Sequence, residues 1–262
     1  LDFARHPYKR LYSFPSGYTR VAQPPSAVRV GSSISLTEKD VVAQKSALLF
    51  GATGLVGGYC LRQLLDSTDY DRVIAVTRRP LSIPAQPKLD QRVTDLSSLS
   101  PNDFTGVEDL FCALGTTIAK AGSQAAFRAV DYDLPMAAAR AAKAAGVEQF
   151  LLVSSIGANP ASSNFYLRTK GELERDLATI GFKALHIFRP GLLLGQRHEF
   201  RFSESLAQRV GPILNLAMLG PLRRYRSVRA DAVAQAMIAA AQRGEKGAII
   251  YEYTEIMAAS RI

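Results

Sequence analysis

Leu49-Phe50-Gly51-Ala52-Thr53-Gly54-Leu55-Val56-Gly57 decides how this 262-residue chain is read. It is a G-x-x-G-x-x-G turn that follows a short apolar strand, Ala47–Phe50, and precedes an amphipathic helix running through about Leu65. In such a turn Gly51 permits the tight reversal, Gly54 lets the backbone approach a pyrophosphate, and Gly57 lets helix and strand pack closely. The helix N-terminus then offers unpaired N–H groups and a partial positive charge to phosphates. A glycine-rich turn packed for purely structural reasons has the same letters, but the strand–turn–helix context favours the phosphate reading. Contacts to a dinucleotide are therefore expected from Gly51, Thr53, Gly54, Leu55, Val56 and Gly57.

Outward from this turn, strands and helices alternate. Strands are expected at Arg72–Thr77, Leu89–Val93, Val107–Leu114, Gln149–Ser154, Lys183–Phe188 and Ala248–Tyr251. Helices are expected at Tyr132–Ala145, stopped by Gly146, at Phe165–Ile180, stopped by Gly181, and at Ser203–Met218 and Asp231–Gln242. Alternation of this kind gives an α/β fold with a doubly wound parallel sheet covered on both faces, the Rossmann arrangement. Residues 46–262 are read as that domain, with 190–262 forming a small C-terminal lobe on the substrate side. The alanines of Tyr132–Ala145 predict close packing of helix on sheet.

Composition narrows the function. The chain is 47% hydrophobic and 21% charged, an ordinary globular balance. Its two cysteines, Cys60 and Cys112, exclude a disulfide scaffold, read as small core residues, and make a reducing, cytoplasmic setting the default. Three scattered histidines give no metal-ligand spacing, and His186, inside a strand, reads as a satisfied core histidine. The net charge is +9, with seven basic against three acidic residues in the first 46. The remaining excess suits an anionic cofactor or substrate, so nucleic acid is not an expected partner. The longest uncharged run, Ser46–Leu61, is glycine-rich and shorter than the roughly 18 apolar residues of a membrane span.

The end of the second strand reads Val76-Thr77-Arg78-Arg79-Pro80. An NAD site usually carries an acid there, on the ribose hydroxyls. Arg78 and Arg79 can instead grip a 2′-phosphate, so NADP(H) is expected over NAD(H), although the same pair also fits a solvated loop. Further on, Tyr166-Leu167-Arg168-Thr169-Lys170 is Y-x-x-x-K, which puts both side chains on one helix face. A phenol beside an ammonium can give or take a proton at a carbonyl or alcohol. The helix follows a strand ending in Ser154-Ser155, where sites in open parallel sheets lie. The basic run Arg223-Arg224-Tyr225-Arg226-Ser227-Val228-Arg229 reads as a solvated loop that could also meet an anionic substrate.

These motifs resemble the short-chain dehydrogenase/reductase superfamily on its extended or atypical side, and more closely its Tat-interacting-protein oxidoreductase branch. The resemblance rests on Leu114-Gly115-Thr116-Thr117, Lys120-Ala121-Gly122, Val130-Asp131-Tyr132 and Ser154-Ser155-Ile156-Gly157-Ala158. Ser163-Asn164-Phe165-Tyr166, Lys170-Gly171-Glu172 and Phe188-Arg189-Pro190-Gly191 complete it, over about 46–252. It implies Tyr166 as acid/base, Lys170 as the ribose-binding cation, and Ser155, with Ser154 behind it, as the hydroxyl orienting substrate. It also implies that Asp95-Leu96 contacts adenine, that Ala113-Leu114-Gly115-Thr116 lies along the cofactor, and that Pro190-Gly191-Leu192 closes over nicotinamide. Asp95 reads equally as a helix cap or a solvated acid. The implied activity is an NADP(H)-dependent oxidoreductase acting on a small carbonyl or alcohol. The alternatives are an NADPH-binding regulatory or assembly protein without turnover, and a nucleotide-sugar epimerase or dehydratase. The short C-terminal segment disfavours the last. A homodimer is an oligomer compatible with this reading.

Residues 1–45 read as a disordered tail, with Pro7, Pro15, Pro24 and Pro25 and no periodicity. No apolar stretch follows Arg5, Lys9 and Arg10 as in a secretory signal. Two accounts of the tail stand. The chain opens with Leu1 and its first methionine is Met136, so one account makes part of the tail upstream sequence, with a native start such as Leu36 or Val41. The other makes it an organellar transit peptide, since residues 3–37 are basic and acid-free, though four prolines disfavour its amphipathic helix.

Overall fold

The computed structural model describes residues 45–94, 96, 99–195 and 220–261. The chain enters with β1 (Lys45–Phe50), α1 (Leu55–Asp66), β2 (Tyr70–Thr77), β3 (Leu89–Val93) and β4 (Asp109–Cys112). Two short helices, α2 (Ile118–Ala121) and α3 (Gln124–Arg128), lead through a π-helical turn, Ala129–Asp133, into α4 (Leu134–Ala144). Then come β5 (Gln149–Val153), α5 (Phe165–Ala178), β6 (Ala184–Phe188), the two-residue strands β7 (Leu193–Leu194) and β8 (Val228–Arg229), α6 (Ala230–Arg243), β9 (Gly247–Tyr251) and α7 (Tyr253–Ala259).

Seven strands form one sheet in the order β3-β2-β1-β4-β5-β6-β9, and every pairing is parallel. The chain winds outward from β1 to β3, then returns to β1's other side with β4. That reversal opens a crevice at the strands' C-terminal ends, where ligands bind in such sheets. Both faces are covered, as the α/β expectation requires. In β1, Leu49 packs with Val56, Cys60 and Leu64 of α1 and Val233 and Met237 of α6. Its neighbours Leu48 and Phe50 point to the other face, among Ala138, Ala139 and Ala142 of α4 and Leu173 and Leu177 of α5. The three α4 alanines are fully buried, so the small side chains do bring helix and sheet close. Both cysteines are free and buried, as read from sequence.

At the opposite end of the strands, the buried Asp109 ties the sheet together. It accepts from Tyr70 Oη at 2.7 Å and Gln149 Nε2 at 2.7 Å, and pairs with Lys45 Nζ at 3.3 Å.

Several boundaries differ from expectation. The fourth strand is shorter than Val107–Leu114 at both ends. Val107 N–H closes a turn onto Phe104 O, and after Ala113 N–H reaches Phe50 O the chain leaves the ladder. The helix expected from Tyr132 begins at Leu134, with Pro135 in its first turn, because the preceding residues form the π turn. The last residues before Gly181 tighten, Thr179 and Ile180 N–H bonding Asp176 O and Leu177 O, so α5 stops at Ala178. His186 is half satisfied: Nδ1 lies 3.1 Å from Tyr251 Oη, while Nε2 has no partner among the described residues. The expected helix at Ser203–Met218, residue Asp95 and the tail up to residue 44 lie outside the described residues.

Candidate cofactor and active site

The glycine turn is built from backbone. Gly51 has φ +85°, a left-handed conformation that side chains disfavour, and a Cβ there would collide with the carbonyl of Ala113. Gly54 N–H donates to Gly51 O at 2.8 Å and closes the turn. A Cβ on Gly57 would run into Gly51's carbonyl, so α1 rests directly on the turn. Gly54 is the N-cap of α1, with no side-chain cap and no acid in the first turn. Thr53 and Gly54 are exposed, Leu55 is half-buried, and Val56 is a core residue that can offer only its backbone. A small, uncapped helix N-terminus at a sheet switch point fits the pyrophosphate of a dinucleotide.

Sheet register ranks the other candidates around this turn. Phe50 lies opposite Val76 on one side and Cys112 on the other, and Cys112 opposite Leu152. The segments after β2, β4 and β5 therefore emerge beside the glycine turn. After β2, Arg78 and Arg79 are both exposed. Thr77 Oγ1 donates to Arg79 O at 2.8 Å and fixes the start of their loop. Leu96 is 4% exposed and belongs to the core around Phe104 and Val76, so its side chain is committed to packing. Ala113 and Leu114 are half-buried, Gly115 is exposed and Thr116 half-buried.

On α5, capped by Asn164 Oδ1 accepting from Leu167 N–H at 3.1 Å, Tyr166 is half-buried with its ring 5.6 Å from that of Phe127. Lys170, one turn on, is buried. Its Nζ lies 2.8 Å from Asp131 Oδ1, and a Cβ on Gly115 would come within 4.0 Å of it. Burial pulls the lysine's pKa down, but the Asp131 carboxylate and the neighbouring Tyr166 outweigh it, and the net direction is upward. The loop after β5 is fastened to the same helix. Asn159 N–H donates to Leu167 O at 3.0 Å, and Gly171 leaves no room for a Cβ against Asn159 and Pro160. Ser155 is half-exposed, its hydroxyl making only a long 3.3 Å bond to Ile156 O among the bonds seen. Ile156 N–H bonds Pro190 O at 3.0 Å, which ties this loop to the segment after β6.

Ser154 is used differently. Its buried hydroxyl donates to Glu174, which also holds Arg189 through Nε at 3.0 Å and through Nη2. The structure thus adds Glu174 to the residues read from sequence and gives partners to Asp131 and Arg189, which the sequence offered only as part of the resemblance. A signal for Glu174 was present, since Tyr166, Lys170 and Glu174 recur every four residues and share one buried face. The basic run lies against the segment after β6: a Cβ on Gly191 would stand 2.6 Å from Arg226 O and 3.0 Å from Tyr225 O. Arg223 and Arg224 are exposed. Among the described residues no cluster could hold a metal ion, and no helix is long and apolar enough to cross a membrane.

Comparison with known proteins agrees with this arrangement. The NAD(P)H-binding family matches residues 51–209. The protein FMP52, mitochondrial, of Lodderomyces elongisporus is 35% identical over 213 residues, covering 77% of this chain and 89% of that protein. Protein HTATIP2 of Rattus norvegicus is 37% identical over 180 residues, covering 67% and 74%. Among solved structures, a UDP-N-acetylglucosamine 4-epimerase from Methanobrevibacter ruminantium superposes with a TM-score of 0.62 at 15% identity, covering 80% and 76%; this is a likeness of fold. The mitochondrial name, shared by the FMP52 proteins of Saccharomyces cerevisiae and Aspergillus fumigatus, overturns the cytoplasmic expectation, which rested only on the scarcity of cysteine. The uncapped glycine turn and the relatives' names lead to one conclusion: the chain belongs to the NAD(P)H-binding family, in the branch that contains FMP52 and HTATIP2.

Proposed function

We propose that this protein is an NADP(H)-dependent oxidoreductase that interconverts a small carbonyl compound and its alcohol in a mitochondrial setting. The observation that carries the reading is the position of Lys170: buried on the face of α5 that bears Tyr166, beneath Gly115, on the loop that also packs against Gly51. That juxtaposition sets a proton donor and a cation beside the turn suited to pyrophosphate. The preference for NADP(H) rests on two exposed guanidiniums after β2, in a stretch, residues 76–80, that contains no acid.

When bound, the reduced nicotinamide supplies a hydride. Tyr166 gives its phenolic proton to the carbonyl oxygen, or takes it back in the reverse direction. Ser155 donates a hydrogen bond to the same oxygen and orients it. Lys170 holds the ribose hydroxyls and keeps a positive charge near the phenol. Gly51, Gly54 and Gly57 let the phosphates approach the turn, and the backbone N–H groups of Leu55 and Val56 at the N-terminus of α1 seat them, while Ala113–Thr116 and Pro190 line the path between the two ends.

The test has two parts. Calorimetric titration should show NADPH bound more tightly than NADH. A carbonyl panel followed by NADPH absorbance should reveal turnover, and Tyr166→Phe should lower it by about 10²-fold or more with NADPH affinity unchanged. Full activity in Tyr166→Phe overturns the assignment of the acid/base. Tight NADPH binding with no turnover on any carbonyl turns the reading to a regulatory protein.

A further inference from the structure

Lys170 is a charge inside the protein, and something must keep it there. Its side chain is 5% exposed and that of its partner Asp131 is 1% exposed, with 2.8 Å between Nζ and Oδ1. The second carboxylate oxygen of Asp131 accepts the Thr116 N–H at 2.8 Å, which fixes that side of the carboxylate, and Oδ1 faces the ammonium as an ion pair. We propose that Asp131 is the positioning residue of this site: it keeps Lys170 an ammonium aimed at the cofactor, so that the grip on the ribose does not vary with pH. The proposal rests on the reading of Lys170 as a cofactor contact and adds what makes that contact possible.

The local fold is arranged around this pair. Asp131 lies in the π turn, where one extra residue per turn changes which side chains face inward. Three side chains from this segment dock on α5: Arg128 on Glu172 at 2.5 Å, Asp131 on Lys170, and Tyr132 Oη on Asp176 at 2.6 Å. The groups facing Lys170 come from three elements: Asp131 from the π turn, Cys112 from β4, and Tyr166 from α5 itself. Glu174, a turn further along α5, is occupied by Arg189. Among these groups only Asp131 is a carboxylate ion-paired with the ammonium. An amine buried without a counter-charge sheds its proton near neutral pH.

Asp131→Asn keeps the shape and the Thr116 acceptor but removes the charge. In this variant NADPH affinity, measured by calorimetry relative to the wild type at each pH, should fall about tenfold or more between about pH 6 and about pH 9. Folding stability supplies a second readout that needs no cofactor. In Asp131→Asn the unfolded chain holds a lysine proton that the folded chain has shed, so stability should climb with pH across this range. Adding Lys170→Met should abolish the climb. If Lys170→Met alone binds NADPH like the wild type, the ribose contact fails, and the stability slope still decides the role of Asp131. An Asp131→Asn protein with pH-independent affinity and no added slope overturns the proposal. Should Asp131→Asn not fold, Lys170→Met added to it should restore folding, and a double variant as unfolded as the single one also overturns it.

Discussion

Any side chain at Gly57 would be driven into the carbonyl oxygen of Gly51, so the first helix and the turn before it meet backbone to backbone. One residue on, the situation reverses: a Cβ on Gly58 would stand 3.5 Å from Ala52 O, an ordinary contact. Gly57→Ala should therefore destabilise the fold by about 1–3 kcal/mol and weaken NADPH binding. Gly58→Ala should stabilise it by up to about 1 kcal/mol through helix propensity. Denaturant unfolding of the two variants checks the contrast, and equal effects would show that the turn tolerates a side chain.

Arg78 and Arg79 are exposed at the end of β2, in a stretch, Val76-Thr77-Arg78-Arg79-Pro80, that contains no acid. Replacing either by Ala should weaken NADPH by about tenfold or more and leave NADH nearly unchanged, since charge-assisted hydrogen bonds to phosphate contribute about 1.5–3 kcal/mol. Arg78→Asp should narrow or reverse the preference. Paired titrations with both cofactors read this directly. Equal losses for NADH and NADPH would mean that the arginines do not distinguish the 2′-phosphate.

The central strands β1, β4, β5 and β6 were legible because they are buried on both faces and read as short apolar runs, whereas the edge strand β3, Leu-Asp-Gln-Arg-Val, gave a weaker pattern. The glycine turn was legible because its residues are consecutive. The partners that hold the candidate site together were harder to see. Asp131 is 39 residues from Lys170, and Glu174 meets Arg189 across two elements, so nothing local in the sequence marks either pair. The π turn hid for a related reason: Val130-Asp131-Tyr132 continues a helical pattern, and only the lacing onto α5 distinguishes it. Leu96, expected with Asp95 at the adenine, has its side chain buried in the core, so a contact there would fall to its backbone.

Glu174 and Arg189 form a buried pair, 4% and 6% exposed, that links α5 to the end of β6. Glu174→Gln removes the nearer counter-charge of a buried guanidinium and leaves it Glu252, 3.8 Å from Nη1, so the change should cost about 3 kcal/mol, the low end for breaking a buried pair. Joint replacement by Glu174→Leu and Arg189→Met should cost clearly less than the two single changes added together. Arg189→Lys should not rescue, because one ammonium cannot reproduce the forked contact. Equilibrium unfolding of wild type, Glu174→Leu, Arg189→Met and the double variant forms the cycle, and strict additivity would show that the pair is not coupled.

His186 makes stability depend on mild acid. It is fully buried in β6, and burial, with a smaller contribution from Arg243, lowers its pKa from 6.5 to about 4. Between these values the unfolded chain binds a proton that the folded chain refuses, so stability is intact above about pH 6.5 and is lost as pH falls towards 4. The full loss is about 3 kcal/mol, the free-energy equivalent of that shift. Asp90, Asp176 and Asp231 also titrate on acidification, but their folded values are lowered from 3.8, so their contributions are lost below His186's window. Urea unfolding of wild type and His186→Leu across this window should show a wild-type decline that the variant largely lacks. Parallel curves would mean that burial does not hold the His186 pKa below its ordinary value.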